Sequence, residues 1–228
     1  MVNRMKEDKE TTETTKEIIR LEEEKDYKKV ENLVRDAFWN IYRPGAYEHY
    51  IVHNLRNNPS FIKELAYIIE KNNEIIGHIN YSKGKLNFNY ENKYNSKPIY
   101  EDAVILGPVA ISPKYQNQGY GSRLIRFTLN LAKDIPFIFV VGDENYYNRF
   151  CFESASKYKI FLDGTDTNEE NPFFMIKVNK NILEDKNYEN GIFFNPNVFN
   201  VDEEEVDEFD KNFEYKEKKG SGRTIIRK

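Results

Sequence analysis

Between positions 116 and 122 the chain reads Gln116-Asn117-Gln118-Gly119-Tyr120-Gly121-Ser122, a glycine-bearing turn between an apolar run and a segment of helical periodicity. The first turn of a helix carries unpaired N–H groups and the positive end of the helix dipole, so it holds anions wherever backbone can approach closely. Gly119 and Gly121 permit that approach, since they lack a Cβ and tolerate positive φ. The chemistry indicated is phosphate binding. No Gly-Lys-Ser/Thr follows, which excludes the phosphate loop of nucleotide hydrolases, and only two of the three glycines of the dinucleotide fingerprint occur. Other reactive residues are few. A single cysteine, Cys151, excludes an internal disulfide framework and a cysteine-based zinc cluster within one chain. Flanked by Phe150 and Phe152 with no neighbouring histidine, it is expected to be a buried, inert thiol. Three histidines, His49, His53 and His78, make a thin inventory for a structural metal, and none is expected.

The elements that must position this turn can be read from periodicity. Ile18 to Leu21 suits a first strand. Asp26 follows as an expected N-cap for a helix bearing Val30, Leu33, Val34, Ala37 and Phe38. After Arg43-Pro44-Gly45, a second helix is expected from Tyr47 to Asn57, with Tyr50, Ile51, Asn54 and Leu55 on one face. Leu65–Glu70 and Glu74–Ser82, joined by Lys71-Asn72-Asn73, read as a β-hairpin, and residues 84–100 as a loop or exposed edge. Ala103 to Ile111 is nearly all apolar, the mark of a central strand covered on both faces. Its anomaly is Pro108. Proline cannot donate to a sheet ladder, so it predicts a bulge or splay where a neighbouring strand departs, a gap that admits a ligand. A helix follows from Gly119 to Lys133, then a strand at Phe137–Val141, a short helix capped by Asp143, and a last core strand at Phe173–Val178. The order implies an α/β architecture: a mixed sheet with helices on both faces.

Length and composition are compatible with this. At 228 residues there is material for one substantial core, or one domain with appendages. The apolar fraction is low at 39%, but sixteen Tyr and sixteen Phe supply large buried areas. Lys and Arg number 34 against 38 Asp and Glu, spread along the chain, so no basic face points to nucleic acid. No run of eighteen apolar residues occurs, and the opening segment lacks the apolar core of a secretory signal. Neither a membrane partner nor export is therefore expected, and the expected compartment is cytoplasmic. Asp202 to Asp210 forms an acidic block, and Lys216 to Lys228 a basic one. The simpler reading is a solvated helix followed by a loose tail; the sharper one is an acidic patch that draws a cationic amine.

The run Val109-Ala110-Ile111-Ser112-Pro113-Lys114-Tyr115-Gln116-Asn117-Gln118-Gly119-Tyr120-Gly121 resembles the acetyl-CoA signature of the GNAT acetyltransferase superfamily, whose loop is Gln/Arg-x-x-Gly-x-Gly/Ala. Tyr147-Asn148-Arg149-Phe150-Cys151-Phe152 is similar to that family's Tyr-x-x-x-Gly-Phe. Leu106-Gly107-Pro108-Val109 and Gly142 to Phe150 resemble a bacterial branch of predicted N-acetyltransferases. The resemblance covers about residues 17–178 and implies a mostly antiparallel central sheet, splayed at the cofactor site. Residues 1–16 would then be a disordered leader, and 179–228 a C-terminal extension packed on the acetyltransferase domain and ending in a charged tail.

What the resemblance implies can be placed residue by residue. Acetyl-CoA would lie in the splay, with its pantetheine arm against backbone groups of Val109, Ala110 and Ile111. Its pyrophosphate would sit on the amides of Gln116, Asn117, Gln118, Gly119, Tyr120, Gly121 and Ser122. A small-molecule or peptide amine would attack the thioester directly, a backbone N–H near Val109 would stabilise the oxyanion, and Tyr147 would protonate the departing thiolate. A phenol, with an ordinary pKa of about 10, is close to a thiol in acidity. Two positions depart from the family pattern. Cys151 replaces the usual glycine, with added bulk or a shifted turn as the expected consequence. Ile105 stands where some members carry a glutamate base. Strand parity offers Glu101 instead, on the same side of the pleat, and His78 on the neighbouring hairpin strand is the other candidate. A non-catalytic acyl-CoA sensor is the rival reading, and a homodimer is among the assemblies left open.

Overall fold

The computed structural model describes residues 16–88, 99–100, 103–179 and 190–220. Its elements in chain order are β1 (Glu17–Leu21), α1 (Tyr27–Phe38), α2 (Glu48–Leu55), β2 (Tyr67–Lys71), β3 (Glu74–Lys83), β4 (Lys85–Phe88), β5 (Ile99–Tyr100) and β6 (Ala103–Ile111). There follow α3 (Tyr120–Leu131), β7 (Phe137–Val141), α4 (Glu144–Tyr147), β8 (Glu153–Ser154), β9 (Ile160–Leu162), β10 (Phe174–Val178), β11 (Gly191–Phe194) and α5 (Glu203–Asp210).

Among the described residues the main sheet has seven strands in the order β1-β2-β3-β6-β7-β10-β8. Every neighbouring pair is antiparallel except β6–β7. The β2–β3 hairpin closes on Asn72 and Asn73, both at positive φ, where Asn is the most tolerant residue after Gly. On one face, α1 packs Val30, Leu33 and Val34 against Ile68 and Ala110, joined by Val52 of α2. On the other, Leu124 and Ile125 of α3 join Ile69, Ile76, Ile79, Val104 and Leu106. Spacings of three and four along α1, and alternation along β3 and β6, produce these two layers. No described helix is long and apolar enough to cross a membrane.

Four details differ from the sequence expectation. Asp26 does not cap α1 with its side chain. Its carboxylate instead accepts Arg20 at 2.6 and 3.0 Å and the Glu23 N–H at 3.0 Å, because a short 3-10 turn precedes the helix. In α2 the buried positions are His49, Ile51, Val52 and Leu55, so the inward face is turned relative to the one anticipated. Within 84–100, β4 and β5 are strands of a second sheet in the order β5-β4-β11-β9, which brings β11 of the C-terminal region beside β4 and β9. Beyond α5, residues 211–220 do not form a loose tail. They run back over α1 and the α1–α2 turn, held by Trp39 and Asn40. The expected leader lies outside the described residues, apart from Lys16.

Candidate functional site

The site begins with a failure of strand pairing at the centre of the main sheet. Along β3, Ile79 faces Val109 and Tyr81 faces Leu106, so Gly107 and Pro108 together lie opposite Asn80. This is the bulge anticipated from Pro108, and the Gly107–Pro108 peptide is cis. On its other side β6 pairs with β7 only through Ala103–Ile105, after which the strands part. The edge of β6 beyond Ile105 therefore borders a gap. Ser112 N–H donates to the Ile76 carbonyl at 2.9 Å, and antiparallel pairs alternate. Ser112 and Ala110 thus turn their backbone groups to β3, while Val109 and Ile111 turn theirs into the gap.

The chain leaves β6 through a turn at Pro113–Tyr115 and enters α3 with Asn117 at φ 61° and Gly119 at φ 86°. No side chain caps α3, so its first-turn N–H groups point outward without a protein partner from that source. Around this point lies a cleft of about 470 Å³, lined by Val109, Ile111, Tyr115, Gln116, Asn117, Gly119, Tyr120, Gly121, Ser122, Tyr146, Tyr147 and Arg149. A Cβ on Gly121 would lie 2.9 Å from the Tyr146 hydroxyl, whereas one on Gly119 would meet nothing within 4 Å. Gly119 is required by its backbone angle, and Gly121 by its neighbour. The Tyr120 hydroxyl donates to Glu17 at 2.8 Å and accepts from Lys71 at 2.7 Å, tying α3 to β1 and β2. Arg123 joins at 2.6 Å, and its hydrogen bond, followed by that of Tyr120, holds the Glu17 carboxyl down at about 2.

The far wall is α4, capped by Asp143, whose carboxylate accepts from the Asn145 N–H at 3.0 Å. The Tyr147 ring crosses Gly142 so closely that a Cβ there would be 2.5 Å from its Cε2. Tyr146, Phe150 and Phe152 surround it at centroid distances of 5.1, 6.3 and 5.9 Å. The side chain is half-buried, and burial, with the Tyr146, Tyr42 and Tyr81 phenols acting in the same sense, pushes its own phenol above the ordinary pKa.

The acetyltransferase (GNAT) family model matches residues 27–176. The chain belongs to that family. Its fold is also that of a GNAT family N-acetyltransferase from Escherichia coli determined with CoA, at TM-score 0.63 and 22% identity over 81% of this chain and 92% of that one. A GNAT family acetyltransferase from Brucella melitensis determined with acetyl-CoA gives TM-score 0.59 and 21% identity over 81% and 98%. No curated protein matches the sequence.

Within this GNAT fold, nine of the expected residues cluster and others do not. Val109, Ile111, Gln116, Asn117, Gly119, Tyr120, Gly121, Ser122 and Tyr147 line the cleft, while Ala110 turns its side chain to α1 on the opposite face. Gln118 points away, its amide donating to the Lys114 carbonyl at 3.0 Å. Gln116 donates to the Ile111 carbonyl at 3.1 Å, stitching the loop to the strand end. His78 is not a cleft residue. It sits opposite Ala110 and Ile68, fully buried, with both ring nitrogens lacking a hydrogen-bond partner and Nε2 3.7 Å from Glu22. Burial, with the Arg56 cation, pushes its pKa down to about 3, which leaves a weak base far from neutrality. Glu101 lies outside the described residues. Ile105 is buried in the cluster containing Phe139, Phe174 and Phe193.

Cys151 is exposed and not buried as expected. It takes the left-handed conformation, φ 64°, so the turn keeps the shape a glycine would give and the thiol is turned to solvent. Three lining residues went unassigned from sequence: Tyr115, Tyr146 and Arg149. Tyr146 and Arg149 are three residues apart on one helical turn, and the guanidinium lies 4.9 Å from the Tyr146 ring. That spacing within the Tyr147 segment was the available signal.

Proposed function

We propose that this protein transfers the acetyl group of acetyl-CoA to a primary amine, with Tyr147 as the proton donor to the departing sulfur. The observation that carries the reading is the convergence, in one cleft, of an uncapped helix N-terminus, an unpaired strand edge and the Tyr147 phenol. The residues present fit the donor: anion-seeking amides stand at one end, and strand-like backbone groups of Val109 and Ile111 along the middle. When bound, acetyl-CoA supplies an activated thioester.

Amides of Gly119 to Ser122 hold the pyrophosphate. The Ile111 carbonyl is already engaged by Gln116, so the arm is held by the Ile111 N–H and the Val109 groups. Tyr147, raised above its ordinary pKa, remains protonated throughout the neutral range and is always present as a donor. The same shift makes it a weaker acid than free phenol, so it first stabilises charge on sulfur by a hydrogen bond and gives up its proton as that charge grows. A second reading, a non-catalytic acyl-CoA sensor, draws on one fact: among the described residues that line the cleft there is no carboxylate or imidazole to take the proton of an ammonium.

Thiol release from acetyl-CoA, followed with an alanine-initiated peptide, lysine, spermidine and kanamycin as acceptors, separates the two. Tight CoA binding without turnover of any amine would remove the enzyme reading. With an active acceptor, Tyr147→Phe is expected to lower kcat about 100-fold, the lower range for a positioned general acid, with CoA affinity kept within about twofold. An unchanged rate would make Tyr147 structural.

A further inference from the structure

Buried polar atoms without a partner are rare in a folded chain, and each raises the question of what satisfies it. Among the described residues, three side chains carrying such atoms stand in one row on β3. Ile79 and Tyr81 belong to the α3 layer, so His78, Asn80 and Ser82 turn to the opposite face, that of α1. All three are fully buried. Both ring nitrogens of His78, Oδ1 of Asn80 and Oγ of Ser82 have no hydrogen-bond partner among the described residues. Apolar side chains of similar shape would avoid the cost of burying these groups, so their presence points to something they bind.

Position along the row sorts them. His78 lies opposite Ala110 and Ile68, inside the layer that α1 covers, with Nε2 3.7 Å from Glu22. Asn80 and Ser82 stand where the sheet opens. Ser82 pairs with Ile105, the last β6 residue that β7 reaches, and Asn80 faces Gly107 and Pro108. Gly107 has no side chain to screen Asn80 from the gap, and it is itself only half-buried. Apart from its chain neighbours, a Cβ built on Gly107 would have one described atom within 4 Å, the Val109 nitrogen at 3.9 Å. Val109 lines the CoA cleft. The space beside Gly107 therefore has the Asn80–Ser82 pair on one flank and the cleft on the other.

What suits that space is a hydrogen-bond donor. Asn80 Oδ1 can only accept, and Ser82 Oγ has lone pairs to offer. Residues two apart on a strand are separated by about 6.6 Å. A hydrogen bond spans about 2.9 Å, so one nitrogen bridges the two side chains. A neutral primary amine has two N–H groups and one lone pair. Donating both N–H groups to β3 leaves the lone pair directed away from it, toward the gap.

We propose that Asn80 and Ser82 form the amine-binding site: they accept the two N–H groups of a primary amine in the space beside Gly107 and turn its lone pair toward the Val109 side of the cleft. The proposal rests on the acetyl-transfer reading above, and it assigns the acceptor to the α1 face and the donor to the α3 face of the same bulge.

Ser82→Ala and Asn80→Leu test it in the full chain. Each replaces an unpartnered buried acceptor by an apolar group, so the melting temperature of the unliganded protein should hold or rise. Amine kinetics should move the other way, with kcat/KM for the active acceptor falling about 10- to 100-fold in each variant and the CoA dissociation constant staying within about twofold. Amine kinetics within twofold of the parent overturn the proposal and leave the row to internal water. Loss of CoA affinity in step with the amine kinetics overturns it too, and so does a kinetic loss accompanied by a lower melting temperature, which would make the two side chains structural. Should Asn80→Leu not fold, Ser82→Ala decides alone by the same criteria. If the parent turns over no amine, the acetyl-transfer reading fails by itself. Calorimetric titration of spermidine into the CoA-bound parent and Ser82→Ala proteins then decides the site: binding weakened about tenfold by the substitution supports it, and equal binding, or none to the parent, sinks it.

Discussion

Gly142→Ala is the sharpest perturbation available at this site, because it reaches Tyr147 without touching its chemistry. Gly142 is buried and lies outside the positive-φ region, so its backbone accepts alanine without strain. The new methyl would stand 2.5 Å from Cε2 and 3.1 Å from Cδ2 of Tyr147. Carbon atoms rest at about 3.5–4.0 Å, so the ring must retreat by about 1 Å. It has little room, being wedged among Tyr146, Phe150 and Phe152. Overpacking of this kind costs about 1–3 kcal/mol of stability. For catalysis, a misplacement of about 1 Å costs on the order of 100-fold when the group must meet a reacting atom. The expected result is a fall in kcat of roughly 30- to 100-fold, with KM for acetyl-CoA little changed. The control is the double-mutant cycle: in a Tyr147→Phe background, Gly142→Ala should cost no more than about threefold, since the group it displaces is gone. If Gly142→Ala slows both backgrounds equally, the methyl acts by loosening the wall, and the argument that Gly142 exists to seat Tyr147 is refuted.

Two further outcomes follow from the same geometry. Gly121→Ala sets a methyl 2.9 Å from the Tyr146 hydroxyl, so KM for acetyl-CoA should rise about tenfold, and Tyr146→Phe on top of it should recover most of the loss. Failure of the rescue in steady-state kinetics would point to a clash with the bound donor itself. The acid limb of stability is set partly by His49 and His78, whose pKa values burial pushes down to about 4 and about 3. Both stay neutral when folded but take protons near pH 6.5 when unfolded. The unfolded state therefore binds more protons below pH 6.5, and stability drains as pH falls toward about 4, at about 1.4 kcal/mol per pH unit per group in mid-window. Glu22, raised chiefly by burial, works in the opposite sense: its stability contribution is present at low pH and is lost as pH rises through its folded value. His78→Gln should flatten the melting-temperature profile between pH 6.5 and 4 in scanning calorimetry; an unchanged slope would contradict the assignment.

The parts of the site legible in the sequence were those whose chemistry restricts residue type. A phosphate turn needs glycine, a bulge tolerates proline, and a helix start accepts Asp143, so the β6–loop–α3 unit and α4 could be located from spacing alone. The return of residues 211–220 over the α1–α2 turn was not legible. It is held by the Glu217 carbonyl and the Lys219 N–H, backbone groups of a kind nearly every residue carries, and they reach Trp39 and Asn40 across some 180 positions of chain. The second sheet escaped for a related reason. Strands of two to four residues such as β4, β5, β9 and β11 are too short for alternation to register, and β4 finds its partner about 100 residues away.

That second sheet also accounts for the burial of Ile105, the position at which the family resemblance would allow a glutamate base. Ile105 pairs with Phe139 across β6–β7 and lies in one buried cluster with Phe174 of β10 and Phe193 of β11. Phe193 packs on Phe139 at a centroid distance of 4.2 Å, and Phe174 stacks on the same ring at 5.1 Å. A carboxylate at position 105 would be sealed under these rings, in a cluster that among the described residues is apolar, and an isolated buried charge neutralises itself at great cost. Under the proposed reaction, position 105 therefore cannot carry the base that takes the amine's proton.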